Sequence, residues 1–83
     1  MYQIRYYKEA LKDIPYLKAS HLDSKVKELI NILREDPYRL PYEKLQGDLK
    51  GLYSRRINIK HRLVYSVDDV NKIVSIIKMW NHY

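Results

Sequence analysis

Three segments in the second half of the chain decide the fold: LYSRRINI at residues 52–59, HRLVYSV at 61–67 and KIVSIIKMW at 72–80. All three are rich in Val, Ile and Tyr, residues that favour extended strands. Only Lys60 separates the first two segments, and the turn-forming DDVN lies between the second and the third. Because such short connections join neighbouring strands, the spacing predicts three consecutive antiparallel strands.

Two helices are predicted upstream of these strands. The first spans KEALKDIPYLKA at residues 8–19, where Pro15 removes a backbone donor and is expected to kink or interrupt the helix. Its apolar residues recur at helical spacing, at Ala10, Leu11, Ile14 and Leu17. A short strand, YQIRYY at residues 2–7, is predicted before this helix because apolar and polar side chains alternate there.

The second helix has the clearest periodicity in the chain. Its apolar residues follow the i, i+3, i+4, i+7 pattern of one helix face, at Val26, Leu29, Ile30 and Leu33. Asp23 or Ser24 is predicted to cap its start, and Pro37 to end it by disfavouring helical backbone at Asp36. The two helices together are therefore expected to form a hairpin whose apolar faces need a partner surface.

The segment between the helices and the strands, DPYRLPYEKLQGDLKG at residues 36–51, is predicted to be a long ordered loop. It holds two of the three prolines and both glycines. The resulting order is β-α-α-β-β-β, which predicts an α+β domain with the helical hairpin packed on one face of a twisted antiparallel sheet. The opposite face of the sheet is then expected to be open.

The composition restricts the class of protein and of partner. The 83 residues suffice for one domain, expected to span residues 1–83. The formal net charge is +6, and residues 42–83 carry eight Lys and Arg against four Asp and Glu, a surplus typical of proteins that bind a polyanion. Because cysteine, a leader-like N-terminus and an apolar run of membrane-spanning length are all missing, we expect a cytoplasmic protein without disulfides or membrane contact.

Several side chains suited to acid–base chemistry fall where the predicted elements begin or end. They are Glu43, Arg55, Arg56, His61, Arg62, His82 and Tyr83. If the strand register brings them to one cleft, they supply the groups that cleave RNA without a metal. A base takes the proton of the ribose 2′-OH, a cation stabilises the phosphate, and an acid protonates the departing 5′-oxygen.

Strand geometry and residue spacing narrow this set. Arg55 and Arg56 are adjacent, so on a strand they point to opposite faces and at most one of them can line the cleft. The three histidines lack the spacing of metal ligands. Gly47 and Gly51 precede a strand and not a helix, which argues against a phosphate-binding loop. We therefore expect no metal and no cofactor.

The stretch EKLQGDLKGLYSRRINIKHRLVYSV at residues 43–67, together with the closing HY at residues 82–83, resembles the YoeB/Txe family of toxin endoribonucleases. This family lies in the RelE superfamily of bacterial toxin–antitoxin systems. The resemblance implies a helical hairpin against a twisted antiparallel sheet, which agrees with the pattern. It also implies an mRNA interferase, a toxin that enters the ribosomal A site and cuts the messenger RNA there.

The resemblance also implies roles for individual residues. Glu43 resembles the general base, and Arg62 resembles the arginine that stabilises the phosphate. His82 resembles the general acid, and Tyr83 resembles the terminal aromatic residue that helps to hold the substrate. Arg56 resembles a further cation that contacts RNA in the cleft.

One departure and several partners follow from the same resemblance. A basic residue is expected three positions after the glutamate, where this chain has Gln46, so either Lys44 or Lys50 compensates for the missing charge or the affinity for phosphate is lower. The expected partners are a cognate antitoxin, whose acidic tail folds on binding, and the ribosome with its mRNA. Operator DNA is expected to be bound only indirectly, through the antitoxin.

Two alternatives stay open at the level of the sequence. One is a ParE-like toxin of the same fold that inhibits DNA gyrase, although the joint presence of Glu43 and His82 argues against it. The other is a basic module that binds RNA or the ribosome without cutting. The loss or retention of toxicity when His82 is replaced would separate these alternatives from a nuclease.

Overall fold

The computed structural model describes residues 1–80; Asn81, His82 and Tyr83 lie outside the described residues. Two helices pack on a five-stranded sheet, which confirms the predicted α+β architecture. The elements in chain order are β1 (Gln3–Tyr6), α1 (Lys8–Ala19), α2 (Asp23–Glu35), β2 (Glu43–Lys44), a 3₁₀ turn (Gly47–Leu49), β3 (Tyr53–Arg56), β4 (Arg62–Asp68) and β5 (Ile73–Lys78). The spatial order of the strands is β1-β5-β4-β3-β2.

The three predicted C-terminal strands form the centre of this sheet. Strand β4 pairs antiparallel with β3 on one side and with β5 on the other, as their short connections predict. Strand β1, however, pairs with β5 in parallel, from Gln3 opposite Ile73 to Tyr6 opposite Ile76. The sheet is therefore mixed, and the expectation of a wholly antiparallel sheet is wrong at this edge. No tight turn joins β1 to β5, so no local signal in the sequence sets their relative direction.

The predicted long loop contains an additional short strand. Strand β2 pairs antiparallel with β3, with Glu43 opposite Ser54, and a bond of 3.0 Å from the Leu45 N–H to the Leu52 carbonyl continues the ladder. The connection reverses through the 3₁₀ turn, where Gly47 and Gly51 have φ angles of 64° and 97°. Glycine adopts this left-handed region without a Cβ penalty. The hairpin places Glu43 on the edge of the sheet instead of in a loop.

Two details of the helices differ from the prediction. Helix α1 continues through Pro15 without interruption. Pro15 and Leu11, the two residues of the missing hydrogen bond, both lie on the exposed side of the helix, where the loss is tolerated. Helix α2 has Leu22 at its N-cap and no side-chain cap, so Asp23 occupies the first helical turn. Its end is as predicted, because Asp36 is extended (φ −155°, ψ 99°) immediately before Pro37.

The core lies between the helical hairpin and the central strands. All four apolar residues predicted for the inner face of α2 are buried. Helix α1 contributes Ala10 and Leu17, whereas Leu11 remains half exposed and does not belong to the core. The sheet contributes a fully buried row of side chains on the face towards the helices, at Leu63, Tyr65, Val74 and Ile76. Neither helix within residues 1–80 is long and apolar enough to cross a membrane.

Candidate active site

The register of three neighbouring strands brings Glu43, Arg56 and Arg62 to one face of the sheet. Glu43 lies opposite Ser54, and Ser54 lies opposite Val64. One step along the strands on the same face, Arg56 lies opposite Arg62. Directly opposed residues in an antiparallel pair point to the same side, and the two rows are about 7 Å apart. This face is the one turned away from the helices.

The charged side chains form the rim of this cleft, and small side chains form its floor. Ser54 and Val64 are 1% and 2% exposed, respectively. The expectation that this face is open to solvent is therefore correct for the charged side chains at the rim and wrong for the two small side chains at the floor. The charged side chains of the rim can contact a substrate, and the buried floor beneath them excludes water from part of their surroundings.

Glu43 and Arg62 are in direct contact. The Arg62 Nη1 atom lies 3.3 Å from the Glu43 Oε1 atom and donates a hydrogen bond to it. The side chain of Glu43 is 65% exposed and that of Arg62 is 25% exposed, so the carboxylate is open to solvent while the guanidinium is partly covered. A half-exposed ion pair of this kind contributes little to stability. Its importance lies in the placement of a carboxylate and a guanidinium within reach of a single ligand.

The two adjacent arginines of β3 separate as predicted. Arg56 is exposed on the face that carries Glu43. Arg55 points towards the helices, is 4% exposed and donates a hydrogen bond to the backbone carbonyl of Arg39. Arg55 therefore ties the segment before β2 to the underside of β3. It is a structural neighbour of the cleft and not one of its lining cations.

A cluster of tyrosine rings supports the strand that carries Glu43. The centroids of Tyr38, Tyr42 and Tyr53 lie 5.7 to 6.3 Å apart in edge-to-face arrangements, and Tyr53 also stacks on the buried Tyr65 at 5.6 Å. Edge-to-face pairs contribute about 0.5–1.5 kcal/mol each beyond the area they bury. Sequence reasoning missed this support for Glu43, although the close spacing of tyrosines around the glutamate is a visible signal.

The remaining predicted residues fall in three places. His82 and Tyr83 lie outside the described residues, which end at Trp80. The imidazole of His61 is buried and stacks on the Trp80 ring at 3.9 Å, at the end of the β3–β4 connection. Gln46 borders a hollow that is also lined by Lys44 and Lys50. The two lysines that are candidates to replace the expected basic residue are therefore neighbours of Gln46.

The described residues also bear on metal binding. Within residues 1–80, no group of three or more His, Asp or Glu side chains is arranged to hold a metal ion. The chemistry that the described cleft can supply comes from one carboxylate and two guanidiniums. A carboxylate accepts a proton, and guanidiniums stabilise developing negative charge on a phosphate.

The sequence is similar to those of known toxins. Residues 6–83 match the model of a family described as the YoeB-like toxin of bacterial type II toxin–antitoxin systems. Toxin YoeB from Escherichia coli strain K12 is 36% identical over 66 residues, in an alignment that covers 72% of this chain and 79% of the relative.

The fold is similar to those of two solved toxin structures. A YoeB/ParE toxin from Agrobacterium tumefaciens superposes with a TM-score of 0.88 at 26% identity, and the match covers 98% of this chain and 99% of the other. A chain of the heterotetrameric YoeB–YefM toxin–antitoxin complex from Staphylococcus aureus superposes with a TM-score of 0.81 at 33% identity, covering 100% and 99%.

Proposed function

The chain belongs to the YoeB-like toxins of bacterial type II toxin–antitoxin systems, and from this premise we propose that it is a ribosome-dependent endoribonuclease. It cuts messenger RNA in the ribosomal A site and so inhibits translation. The observation that supports this activity is the contact of 3.3 Å between Glu43 and Arg62, on the sheet face that also carries Arg56. A proton acceptor and two cations there lie within reach of one phosphodiester.

In the proposed reaction, the carboxylate of Glu43 takes the proton from the ribose 2′-OH. The resulting oxygen attacks the adjacent phosphorus, and the bond to the 5′-oxygen of the next nucleotide breaks. His82 donates a proton to this departing oxygen, so the products carry a 2′,3′-cyclic phosphate and a 5′-hydroxyl. Arg62 and Arg56 stabilise the extra negative charge on the phosphate, and Tyr83 holds the nucleotide in place. The mechanism requires no metal and no cofactor.

The ion pair gives the free protein a defined resting arrangement. With Arg62 turned to Glu43, each charge offsets the other at the rim of the cleft. A bound phosphate competes for the same guanidinium, because arginine binds phosphate and carboxylate with similar geometry. Substrate binding therefore draws Arg62 towards the phosphate and leaves the carboxylate of Glu43 to the 2′-OH.

The proposed partners follow from the charge and from the relatives. The relative from Staphylococcus aureus is part of a YoeB–YefM toxin–antitoxin complex, and we expect this chain to bind a cognate antitoxin. A net charge of +6 favours both an acidic antitoxin segment and ribosomal RNA. Contact with operator DNA would come through the antitoxin, and the expected place of action is the bacterial cytoplasm.

The deciding experiment measures cleavage of an mRNA on purified ribosomes by the unaltered protein and by His82→Gln. We expect cleavage with cyclic-phosphate ends for the unaltered protein, and its loss in His82→Gln with antitoxin and ribosome binding retained. His21→Gln, a histidine between the two helices, is the matched control and should cleave normally. If His82→Gln inhibited growth fully without cleavage, gyrase inhibition or RNA binding without cutting would replace the proposal.

A further inference from the structure

The chain just before its last three residues is held by a carboxylate on helix α1. The Oδ2 atom of Asp13 accepts hydrogen bonds from two consecutive backbone N–H groups, that of Met79 at 2.9 Å and that of Trp80 at 3.2 Å. Strand β5 ends one residue earlier, at Lys78, so these two N–H groups lie beyond the sheet ladder. Hydrogen bonds to an ionised acceptor are about twice as strong as neutral ones.

Two aromatic stacking contacts hold the same point. The Trp80 ring lies 5.5 Å from the Tyr16 ring of α1, with an angle of 25° between the ring planes. It lies 3.9 Å from the His61 ring, with an angle of 17°. The Met79 side chain is 1% exposed and anchors the preceding residue in the core. Three separate parts of the fold therefore meet at residues 79 and 80.

We propose that Asp13, Tyr16 and His61 form a clasp on Trp80 that positions the terminal segment for catalysis. This inference rests on the proposed function, since it gives the clasp the task of presenting His82 to the cleft. Asp13 is a positioning residue in this reaction: it acts through the backbone of the terminal segment and does not touch the substrate. Neither the family resemblance nor the pattern of charges assigns it a role.

Chain geometry gives the size of the effect. A stretch of two residues, which is the separation of His82 from Trp80 in the sequence, spans at most about 7 Å. Without the clasp, the buried Met79 side chain still fixes residue 79, and the free stretch lengthens to three residues, which span at most about 10.5 Å. Increasing the span by about half increases the accessible volume roughly threefold. Because acid catalysis requires the imidazole within hydrogen-bond reach of the 5′-oxygen, the maximal rate should fall by about threefold.

The test compares Asp13→Ala with Glu9→Ala, which removes another acid from the same helix. In single-turnover cleavage on programmed ribosomes, we expect Asp13→Ala to lower the maximal rate about threefold. The half-saturating ribosome concentration should change less than twofold, because the clasp does not contact RNA. Glu9→Ala should match the unaltered protein. A normal maximal rate in folded Asp13→Ala, or a loss confined to binding, would overturn the inference.

Trp80 supplies a readout that does not depend on activity. It is the single tryptophan of the chain, so fluorescence quenching by acrylamide reports on the clasp alone. Quenching should increase in Asp13→Ala and in Tyr16→Leu, and the latter changes a residue that is 57% exposed and tolerates replacement. If Asp13→Ala fails to fold, the rate is measured with Tyr16→Leu instead, and the same fall in maximal rate is expected. Increased quenching at an unchanged rate would contradict the inference.

A double variant separates positioning from a general loss of structure. If Asp13 acts through His82, adding Asp13→Ala to His82→Gln should leave the residual single-turnover rate of His82→Gln unchanged. Two losses that multiply would show that Asp13 acts elsewhere. Absence of cleavage by the unaltered protein would instead refute the proposed function, and with it the catalytic task of the clasp, whatever the quenching of Trp80.

Discussion

At the scale of single residues, Glu43 should contribute little to stability and, as the proposed general base, much to activity. The side chain of Glu43 is 65% exposed, and its one described ionic contact is with Arg62, whose side chain is 25% exposed. Surface ion pairs contribute about 0–1 kcal/mol to stability, whereas a general base accelerates a reaction by about 10²–10⁴-fold. Stability and activity should therefore respond very differently to changes at this residue.

Replacing Glu43 with alanine tests this separation. We expect single-turnover cleavage on ribosomes to slow by about 10²-fold or more, with a melting temperature close to that of the unaltered protein. Glu35→Ala, an exposed acid at the end of α2, is the matched control and should change neither quantity. A parallel fall of activity and melting temperature would mean that Glu43 is structural.

A second residue-scale prediction concerns Tyr65, whose ring is fully buried and whose hydroxyl donates a bond of 2.7 Å to the Pro37 carbonyl. Tyr65→Phe leaves that carbonyl without this donor, and should lower the free energy of unfolding by about 1 kcal/mol at neutral pH. Urea unfolding measures the change. Tyr7→Phe, a half-exposed tyrosine, is the control and should have no effect.

Burial also raises the pKa of Tyr65 to about 12, although Arg55 opposes the shift. Because the folded pKa lies above the unfolded value of about 10, the contribution of Tyr65 is complete below pH 10 and is lost as the pH rises towards 12. The stability difference between the unaltered protein and Tyr65→Phe should therefore shrink across this interval. A difference that stays constant from pH 9 to 12 would contradict the assignment.

The sequence predicts some features of the cleft and not others. The period of two along a strand is enough to predict that Arg55 and Arg56 separate, and the structure confirms it. The contact between Glu43 and Arg62 is different, because it depends on the pairing of β2 with β3 in one register. A strand of two residues carries almost no periodic signal, so the acid was predicted in a loop.

At the scale of elements, the molecule joins three distant segments through one carboxylate. Asp69, in the β4–β5 turn, accepts a bond of 2.6 Å from the Tyr38 hydroxyl and one of 2.7 Å from the Tyr2 hydroxyl. Tyr2 immediately precedes β1, and Tyr38 follows α2. The carboxylate therefore connects the edge strand, the helical hairpin and the central strands at one end of the sheet.

Acid should weaken this connection in a predictable direction. The hydrogen bonds from Tyr38 and then Tyr2 hold the pKa of Asp69 below its usual value. The contribution of the carboxylate is therefore present above the ordinary aspartate pKa of about 4, and is lost as the pH falls through the lower folded value. Asp69→Asn should have a lower melting temperature than the unaltered protein at pH 7 and a smaller loss on going to pH 3.

The control for this prediction is Asp48→Asn, which changes an exposed acid in the 3₁₀ turn. Melting temperatures measured from pH 7 to pH 3 should follow the same curve for Asp48→Asn and for the unaltered protein. If Asp69→Asn also follows that curve, the two phenolic hydrogen bonds do not contribute to stability.

The elements themselves differ in how well local sequence determines them. Helix α2 and the three central strands are predictable because periodicity, turn residues and a terminating proline all agree. The direction of β1 and the existence of β2 are set by partners far away in the chain, which no local pattern specifies. Pro15 in α1 is the converse case. The local rule for proline predicts a break in the helix, but the packing of the helix on the sheet keeps it continuous.

At the scale of the whole molecule, the surplus of positive charge determines how the protein meets its target. The net charge is +6, and residues 42–83 carry most of the surplus together with the strands of the cleft. Association with a polyanion releases counterions, so the observed affinity falls steeply as salt rises. The ribosome binding that we propose should therefore be much weaker at moderate than at low ionic strength.

One cation of the cleft, Arg56, should account for part of this salt dependence. In a plot of log affinity for programmed ribosomes against log salt concentration, Arg56→Gln should reduce the slope by about 0.7, the value for one phosphate of single-stranded RNA. Lys72→Gln is the matched control. Arg62 begins strand β4, whereas Lys72 follows the other end of that strand, away from the cleft. Its slope should equal that of the unaltered protein. A flat response to salt would contradict phosphate-dominated binding, and equal slopes in all three proteins would remove Arg56 from the RNA contact.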